Sequence, residues 1–201
     1  LARGGDQAVV KVKDQITYYG GKTQQVEKNT RVKARVKAQA LRELVEGKDK
    51  VVVMGHKLPD ADAFGAAVGI YRAAKTLNKK AYIVANEVTT SVRPMLDLFT
   101  EINSQEPGIV IGSSQAKEIV DKNTVVVVVD TNRPSYTECE EILSMSSTLV
   151  VFDHHRRGNE AIAHAALSYI EPNASSACEM VAEILQYFAD NVRLKGGEAD
   201  C

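Results

Sequence analysis

Nowhere in the 201 residues do about 18 apolar side chains follow one another, and the first residues lack the apolar core of a secretory signal. The sequence therefore offers no membrane-spanning helix. Cysteine is scarce: Cys139, Cys178 and Cys201 form an odd, widely spaced set without a C-x-x-C pair. That excludes a disulfide framework and a cysteine-rich zinc site, and it suits a reducing cytoplasm. No internal repeat or low-complexity tract interrupts the chain. With 44% hydrophobic and 25% charged residues, a wholly disordered chain is excluded, and the length suits one globular domain with a small attachment.

An overall excess of one charge is missing too, since the formal net charge is −1. Its distribution is uneven. Residues 1–50 carry 12 Lys and Arg against 6 Asp and Glu, whereas the remainder carries 13 against 20. A basic lead-in joined to an acidic body argues against a uniformly basic nucleic-acid binder, so duplex nucleic acid is not an expected partner. Leu1 is not an initiator Met, and Cys201 closely follows an apparent loop, Lys195-Gly196-Gly197. An internal piece of a longer protein is the expectation.

Three zones emerge along the chain. Residues 1–21 read as a turn followed by a strand or two, too short to bury a core alone. Residues 22–47 carry seven basic residues and no Pro or Gly before Gly47, with Val26, Val36, Ala40 and Leu44 at helical intervals. This predicts a basic linker helix whose charges are a solvated face. Residues 48–201 alternate strands (51–54, 81–84, 109–111, 125–129, 149–152, 165–170) with helices (63–77, 93–103, 177–188). Five consecutive valines at 125–129 have the β-branched character of a strand buried on both faces. The expected fold is α/β: a doubly wound, mainly parallel sheet flanked by helices.

Ligands of such sheets sit past the carboxyl ends of the strands. Here His56, Asp60 and Asp62 follow the first strand, Asp130 follows the valine strand, and Asp153-His154-His155 follow 149–152. Acids and imidazoles gathered at one rim without a cation would cost several kcal/mol of repulsion and desolvation. One or more divalent metals resolve this. Carboxylates and imidazoles without thiolates favour Mn²⁺, with Mg²⁺, Fe²⁺ and Co²⁺ as alternatives. Pro59 stiffens the turn between His56 and Asp60. Taken singly, Asp60 or Asp62 could cap a helix, and Asp130 could be a turn residue. Ser175 and Ser176 precede the helix at 177–188, where exposed N–H groups suit a simple cap or a phosphate. Arg156 and Arg157 either steer anions or are merely solvated, and His164 reads as a packed or surface histidine.

In order, Gly55-His56-Lys57-Leu58-Pro59-Asp60-Ala61-Asp62-Ala63, Val129-Asp130-Thr131, Asp153-His154-His155-Arg156 and Ser175-Ser176-Ala177-Cys178-Glu179 resemble the motifs of the DHH phosphoesterase superfamily. The lead-in Arg3-Gly4-Gly5-Asp6-Gln7 with Tyr18-Tyr19-Gly20-Gly21 resembles the end of a degenerate GGDEF domain. The combination is similar to the cyclic-di-AMP phosphodiesterases of the GdpP/YybT type, whose domain order begins with membrane helices. The resemblance implies two Mn²⁺ ions, one on His56, Asp60 and Asp130, the other on Asp62, Asp130 and His154, with Asp130 bridging. It places His155 beside the substrate phosphate with Asp130 as its catalytic companion, has Asp153 orient the adjacent histidines, and assigns Ser175, Ser176 and Arg156 to substrate phosphate. A later metal-binding Asp of the family does not occur before Cys201, so the second site is expected to be incomplete and turnover by this piece weak. The implied reaction is hydrolysis of cyclic-di-AMP to linear pApA in a second-messenger protein tethered to the cell membrane by segments outside this cytoplasmic stretch. RecJ-like or nanoRNase-type cleavage of short oligonucleotides, a pyrophosphatase, a non-catalytic nucleotide-binding or regulatory module, and a homodimer all stay open.

Overall fold

Five valines in a row can all be buried only if both sides of their strand are covered. The computed structural model, which describes residues 8–12, 15–19, 23–158 and 160–201, shows how this is done. In chain order the elements are β1 (Ala8–Val12), β2 (Gln15–Tyr19), α1 (Thr23–Glu46), β3 (Lys50–Met54), α2 (Ala61–Thr76), β4 (Lys80–Val84), α3 (Arg93–Ile102), β5 (Val110–Ile111) and α4 (Ser113–Ile119). They continue with β6 (Thr124–Val129), α5 (Ile142–Met145), β7 (Thr148–Asp153), β8 (Leu167–Ile170), α6 (Ala177–Phe188) and α7 (Gly196–Ala199). Six strands form one all-parallel sheet in the order β5-β4-β3-β6-β7-β8, so the expected doubly wound α/β architecture holds.

Alternation along each central strand divides the core in two. Val51 and Val53 of β3, Val125, Val127 and Val129 of β6, and Val150 and Phe152 of β7 join one cluster, packed under α1, α2, α3 and α6. Val52, Met54, Val126, Val128, Leu149 and Val151 point the other way, with Ala116 of α4 and Ile142 of α5. Every residue of β6 is buried. Each valine side chain taken fully out of water contributes about 1.5–3 kcal/mol, which anchors the centre of the sheet.

The winding has one reversal. From β3 the chain steps outward to β4 and β5, then crosses back to β6 on the other flank of β3 and proceeds to β7 and β8. The crevice beyond the carboxyl ends of β3 and β6 is thus the topological switch point, where open α/β sheets bind their ligands.

Packing around the sheet departs from the sequence expectation in two places. The buried stripe of α1 is Ala34, Ala38, Leu41 and Val45, spaced four, three and four residues apart, whereas Val36 is 61% exposed. Small Ala34 and Ala38 let α1 lie close to α6, and the basic face is partly structural: Lys33 Nζ meets Glu171 Oε2 at 3.0 Å and Lys37 Nζ donates to Ser168 O at 3.0 Å. The helix α2 also approaches α6 closely, since a Cβ at Gly69 would stand 2.5 Å from Val181 Cγ1. The motif residues Arg3 to Gln7 and Gly20 to Lys22 lie outside the described residues; between them β1 and β2 pair antiparallel, from Ala8↔Tyr19 to Val12↔Gln15.

The apparent loop at Lys195-Gly196-Gly197 is the start of α7 instead. Two glycines read locally as a breaker, but tertiary contacts override them. Glu198 is buried and accepts from Arg72 Nε at 2.8 Å, from a second Arg72 nitrogen, from Asn103 Nδ2 at 3.2 Å and from the Lys195 N–H at 2.9 Å. Burial pushes its carboxyl pKa up, but these donors outweigh burial and leave it below the usual value. Removing one partner of such a pair strands the other in low dielectric. Glu198→Ala is expected to lower unfolding free energy by about 3–5 kcal/mol, read by urea titration, and a loss below about 1 kcal/mol would contradict the clamp.

Candidate metal centre

Each group expected at the rim is carried there by a strand end or the turn after it, except Asp62, which stands in the first turn of α2. After β3, the 55–60 turn lies against the 136–138 segment: Lys57 N–H donates to Tyr136 O at 2.9 Å and Glu138 N–H to Gly55 O at 3.1 Å. Gly55 lets α2 pack close over this turn, because a Cβ there would come within 2.9 Å of Ala63 Cβ. Asp60 then serves both readings of its residue type. Its Oδ1 caps α2 by accepting from Ala63 N–H at 2.9 Å, while Oδ2 lies 3.6 Å from His56 Nε2.

Asp130 is the hub. It leaves β6 with φ at 58°, a left-handed conformation that non-glycine residues adopt rarely and that clusters at functional sites. The turn aims its carboxylate back across the strand ends, where it is only 3% exposed. Oδ2 stands 3.4 Å from His56 Nε2; Oδ1 stands 3.3 Å from His154 Nε2 and 3.6 Å from His155 Nδ1. Asp62 Oδ2 lies 3.6 Å from His154 Nε2. All the residues expected as metal ligands are therefore brought to one rim.

These spacings decide what the cluster can do. At 3.3–3.6 Å the pairs are longer than good hydrogen bonds, and Asp130 Oδ1 and His56 Nδ1 are buried without any hydrogen-bond partner. Donor atoms bound around one divalent ion at 2.0–2.1 Å in octahedral geometry sit roughly 3 Å apart. Two sets of three donors lie within 4.8 Å of one another: His56, Asp60 and Asp130, and Asp130, His154 and His155. Asp130 belongs to both. The donor set fits hard or borderline divalent cations, which would satisfy the orphaned oxygen and supply Lewis acidity. The second set includes His155 where Asp62 was expected.

Asp62 is engaged elsewhere as well. Its Oδ2 accepts from Ala177 N–H at 2.9 Å and its Oδ1 from Cys178 N–H at 2.7 Å, both at the first turn of α6. Of the two readings of this helix start, a simple cap or a phosphate site, the cap is what the structure shows, and a carboxylate already stands at the positive end of the helix. Ser176 caps α6, its Oγ accepting from Glu179 N–H at 3.0 Å, and Ser175 binds the Glu179 carboxylate through both N–H and hydroxyl. Arg156 is exposed at the rim, Arg157 donates to Ser168 Oγ at 2.9 Å, and His164 is exposed on the surface.

Asp153, fully buried, accepts from His155 twice, from N–H at 3.1 Å and at Nδ1 at 2.8 Å. It orients His155; His154 is instead held among Asp62 and Asp130. Asn132 was not singled out by sequence. Its amide donates to Asp153 Oδ2 and, at 3.5 Å, to His155 O, so it holds the carboxylate that holds the ring. Tyr136 stacks on His56, with ring centroids 5.8 Å apart and planes at 27°. Both follow Asp130 closely in the chain, and their position just past a strand end is the one sequence signal that could have found them.

The electrostatics match the geometry. Asp130 beside Nε2 raises the pKa of His56 above its ordinary 6.5, against the lowering effect of burial, and the charges of Asp60, Asp130 and Glu138 add to the rise. Burial pushes the Cys178 thiol up to about 12, helped by the charges of Asp62 and Asp130, so it is no nucleophile at neutral pH.

Residues 50–201 match the model of the DHH family, N-terminal domain. The chain belongs to the DHH family. Among relatives, the cyclic-di-AMP phosphodiesterase GdpP of Geobacillus thermodenitrificans is 43% identical over 202 residues, covering 99% of this chain and 30% of the relative. The cyclic-di-AMP phosphodiesterase PdeA of Listeria monocytogenes is 40% identical over 193 residues, covering 94% and 29%. An exopolyphosphatase-related protein of Bacteroides fragilis has a similar fold, with a TM-score of 0.62 at 18% identity over 77% of this chain and 44% of that one. This DHH chain thus spans about 30% of the length of the curated relatives it matches. No helix among its described residues is long and apolar enough to cross a membrane.

A raised histidine pKa means that the proton on His56 stabilises the metal-free fold. That contribution is present in full below pH 6.5 and is lost as pH rises through the elevated value. Thermal unfolding of the metal-free protein is expected to shift downward over that window, and His56→Ala is expected to flatten the shift. A wild-type profile indistinguishable from that of His56→Ala would contradict the assignment.

Proposed function

We propose that this DHH chain is part of a metal-dependent phosphodiesterase that hydrolyses cyclic-di-AMP to linear pApA. The observation that carries the reading is 40–43% identity, over nearly all of the chain, to proteins named for that activity. The rim of acids and imidazoles at the switch point supports it, since phosphodiester hydrolysis needs positive charge where negative charge develops. Mn²⁺ is the proposed cation at both positions, because the donors are carboxylates and imidazoles without thiolates. Bound there, it would neutralise phosphoryl oxygens as a Lewis acid.

The chain's own groups divide the remaining work. His56, Asp60, Asp130, Asp62 and His154 hold the charge, with Asp130 shared. The Asp153 carboxylate accepts from His155 Nδ1–H, which leaves Nε2 as the nitrogen that can address a phosphate. Asn132 fixes Asp153 in turn. Arg156, exposed beside the histidines, contributes long-range attraction for a dianionic substrate. The Ser175 hydroxyl can donate to a phosphate only by leaving the Glu179 carboxylate, whereas Ser176 Oγ accepts from Glu179 N–H and keeps its own hydrogen to donate. In the whole protein, residues 1–21 close a degenerate GGDEF-like domain, residues 22–47 link it to the DHH domain, and further segments tether it to the membrane.

Product analysis with the complete protein and Mn²⁺ tests this on cyclic-di-AMP, pApA, pyrophosphate and short RNA. Cyclic-di-AMP is expected to be the preferred substrate, and Asp130→Asn to lower its turnover by more than about a hundredfold. Unchanged turnover in that variant, or preferred cleavage of short RNA or pyrophosphate, would overturn the reading.

A further inference from the structure

The two N–H groups at the start of α6 are spent on one side chain of the metal rim. Ala177 N–H reaches Asp62 Oδ2 at 2.9 Å and Cys178 N–H reaches Asp62 Oδ1 at 2.7 Å, a bidentate grip on a carboxylate 115 residues earlier in the chain. Cys178 Sγ adds a contact to Asp62 O at 3.4 Å. The carboxylate cannot rotate without breaking both bonds, and the same Oδ2 faces His154 Nε2 at 3.6 Å. An ordinary ligand carboxylate is oriented by side chains around it. Here a helix terminus does that work, and the helix is itself rigidly seated: Ala177, Met180, Val181, Ile184 and Phe188 are buried, and α1 and α2 pack against it.

We propose that the α6 N-terminus is the positioning group of the second cation site: the peptide N–H groups of Ala177 and Cys178 hold Asp62 in register with His154 and Asp130. This deepens the metal-dependent reading above and rests on it. It also accounts for Ser175-Ser176-Ala177-Cys178-Glu179 without assigning its N–H groups to substrate. Ser176 and Glu179 build the cap, and the cap points two free N–H groups at Asp62.

One substitution removes a single donor and leaves the helix intact. Ala177 is the first helical residue of α6, where proline is tolerated because that N–H has no partner within the helix. The preceding Ser176 is extended, with φ −159° and ψ 160°, as a residue before proline must be. Ala177→Pro deletes the bond to Asp62 Oδ2 and puts a ring carbon in place of the amide hydrogen, crowding that oxygen out of its position. Mn²⁺ titration by calorimetry on the wild type and on Ala177→Pro, each checked by circular dichroism, is the test. The weaker of two binding events is expected to lose about ten- to a hundredfold in affinity, with the tighter event, on His56, Asp60 and Asp130, unchanged. Two unchanged events in a folded variant would overturn the positioning role and leave the metal centre standing. No binding to the wild type would instead defeat the metal-dependent reading itself. If Ala177→Pro does not fold, the amide resonances of 177 and 178 in the wild type decide: adding Mg²⁺ is expected to shift both as the cation draws charge from Asp62, and unmoved resonances on saturation would overturn the proposal.

Discussion

The structure turns on one electrostatic constraint: a buried carboxylate, Asp130, flanked by imidazoles and further acids with too few donors to go round. Its Oδ1 has no hydrogen-bond partner although solvent cannot reach it, and its backbone is held in a left-handed turn to put it there. An unpartnered buried acceptor costs about 1–3 kcal/mol, and a strained turn about as much again. A fold carries such a load where a ligand relieves it. The surroundings are built to keep the acid in place: β6 is buried on both faces, its neighbours β3 and β7 lie in register, and the strand-order reversal leaves open the crevice into which Asp130 turns.

Around that centre the supporting contacts are layered, and most are polar bonds to backbone. Asp60 caps the helix that begins beside it, Asp62 is gripped by the helix that arrives from the far end of the chain, and Asp153 is satisfied by the residue it orients and by Asn132. Asp60 thus has one oxygen fixed by the scaffold and the other turned to the rim, while Asp62 and Asp153 are held at both oxygens. Fixing one oxygen of a carboxylate while freeing the other lowers the entropy lost when a ligand binds.

Much of this was legible in the chain. The valine run fixed a central strand because no other secondary structure suits five β-branched residues buried on both sides, and the acids and histidines fell directly after strand ends. What escaped the sequence depends on tertiary contact. The α1 stripe was read through Val26, Val36, Ala40 and Leu44, yet the helix buries Ala34, Ala38, Leu41 and Val45 and leaves Val36 exposed. The paired glycines before Glu198 suggested a loop, and the buried pair with Arg72 makes them a helix start. The first turn of α6 read as either a simple cap or a phosphate site, since nothing local reveals that a residue 115 positions away already fills it.

The central claim is that Asp130 joins two cation positions, and electron paramagnetic resonance of the Mn²⁺-loaded protein addresses it directly. Two ions sharing one carboxylate sit about 3.5–4 Å apart and couple magnetically. The account predicts a spin-coupled pair in the wild type that collapses to an isolated-ion spectrum, or to unbound Mn²⁺, in Asp130→Ala. A wild-type spectrum of isolated ions at full loading, or an unaltered coupled spectrum in the variant, would contradict it.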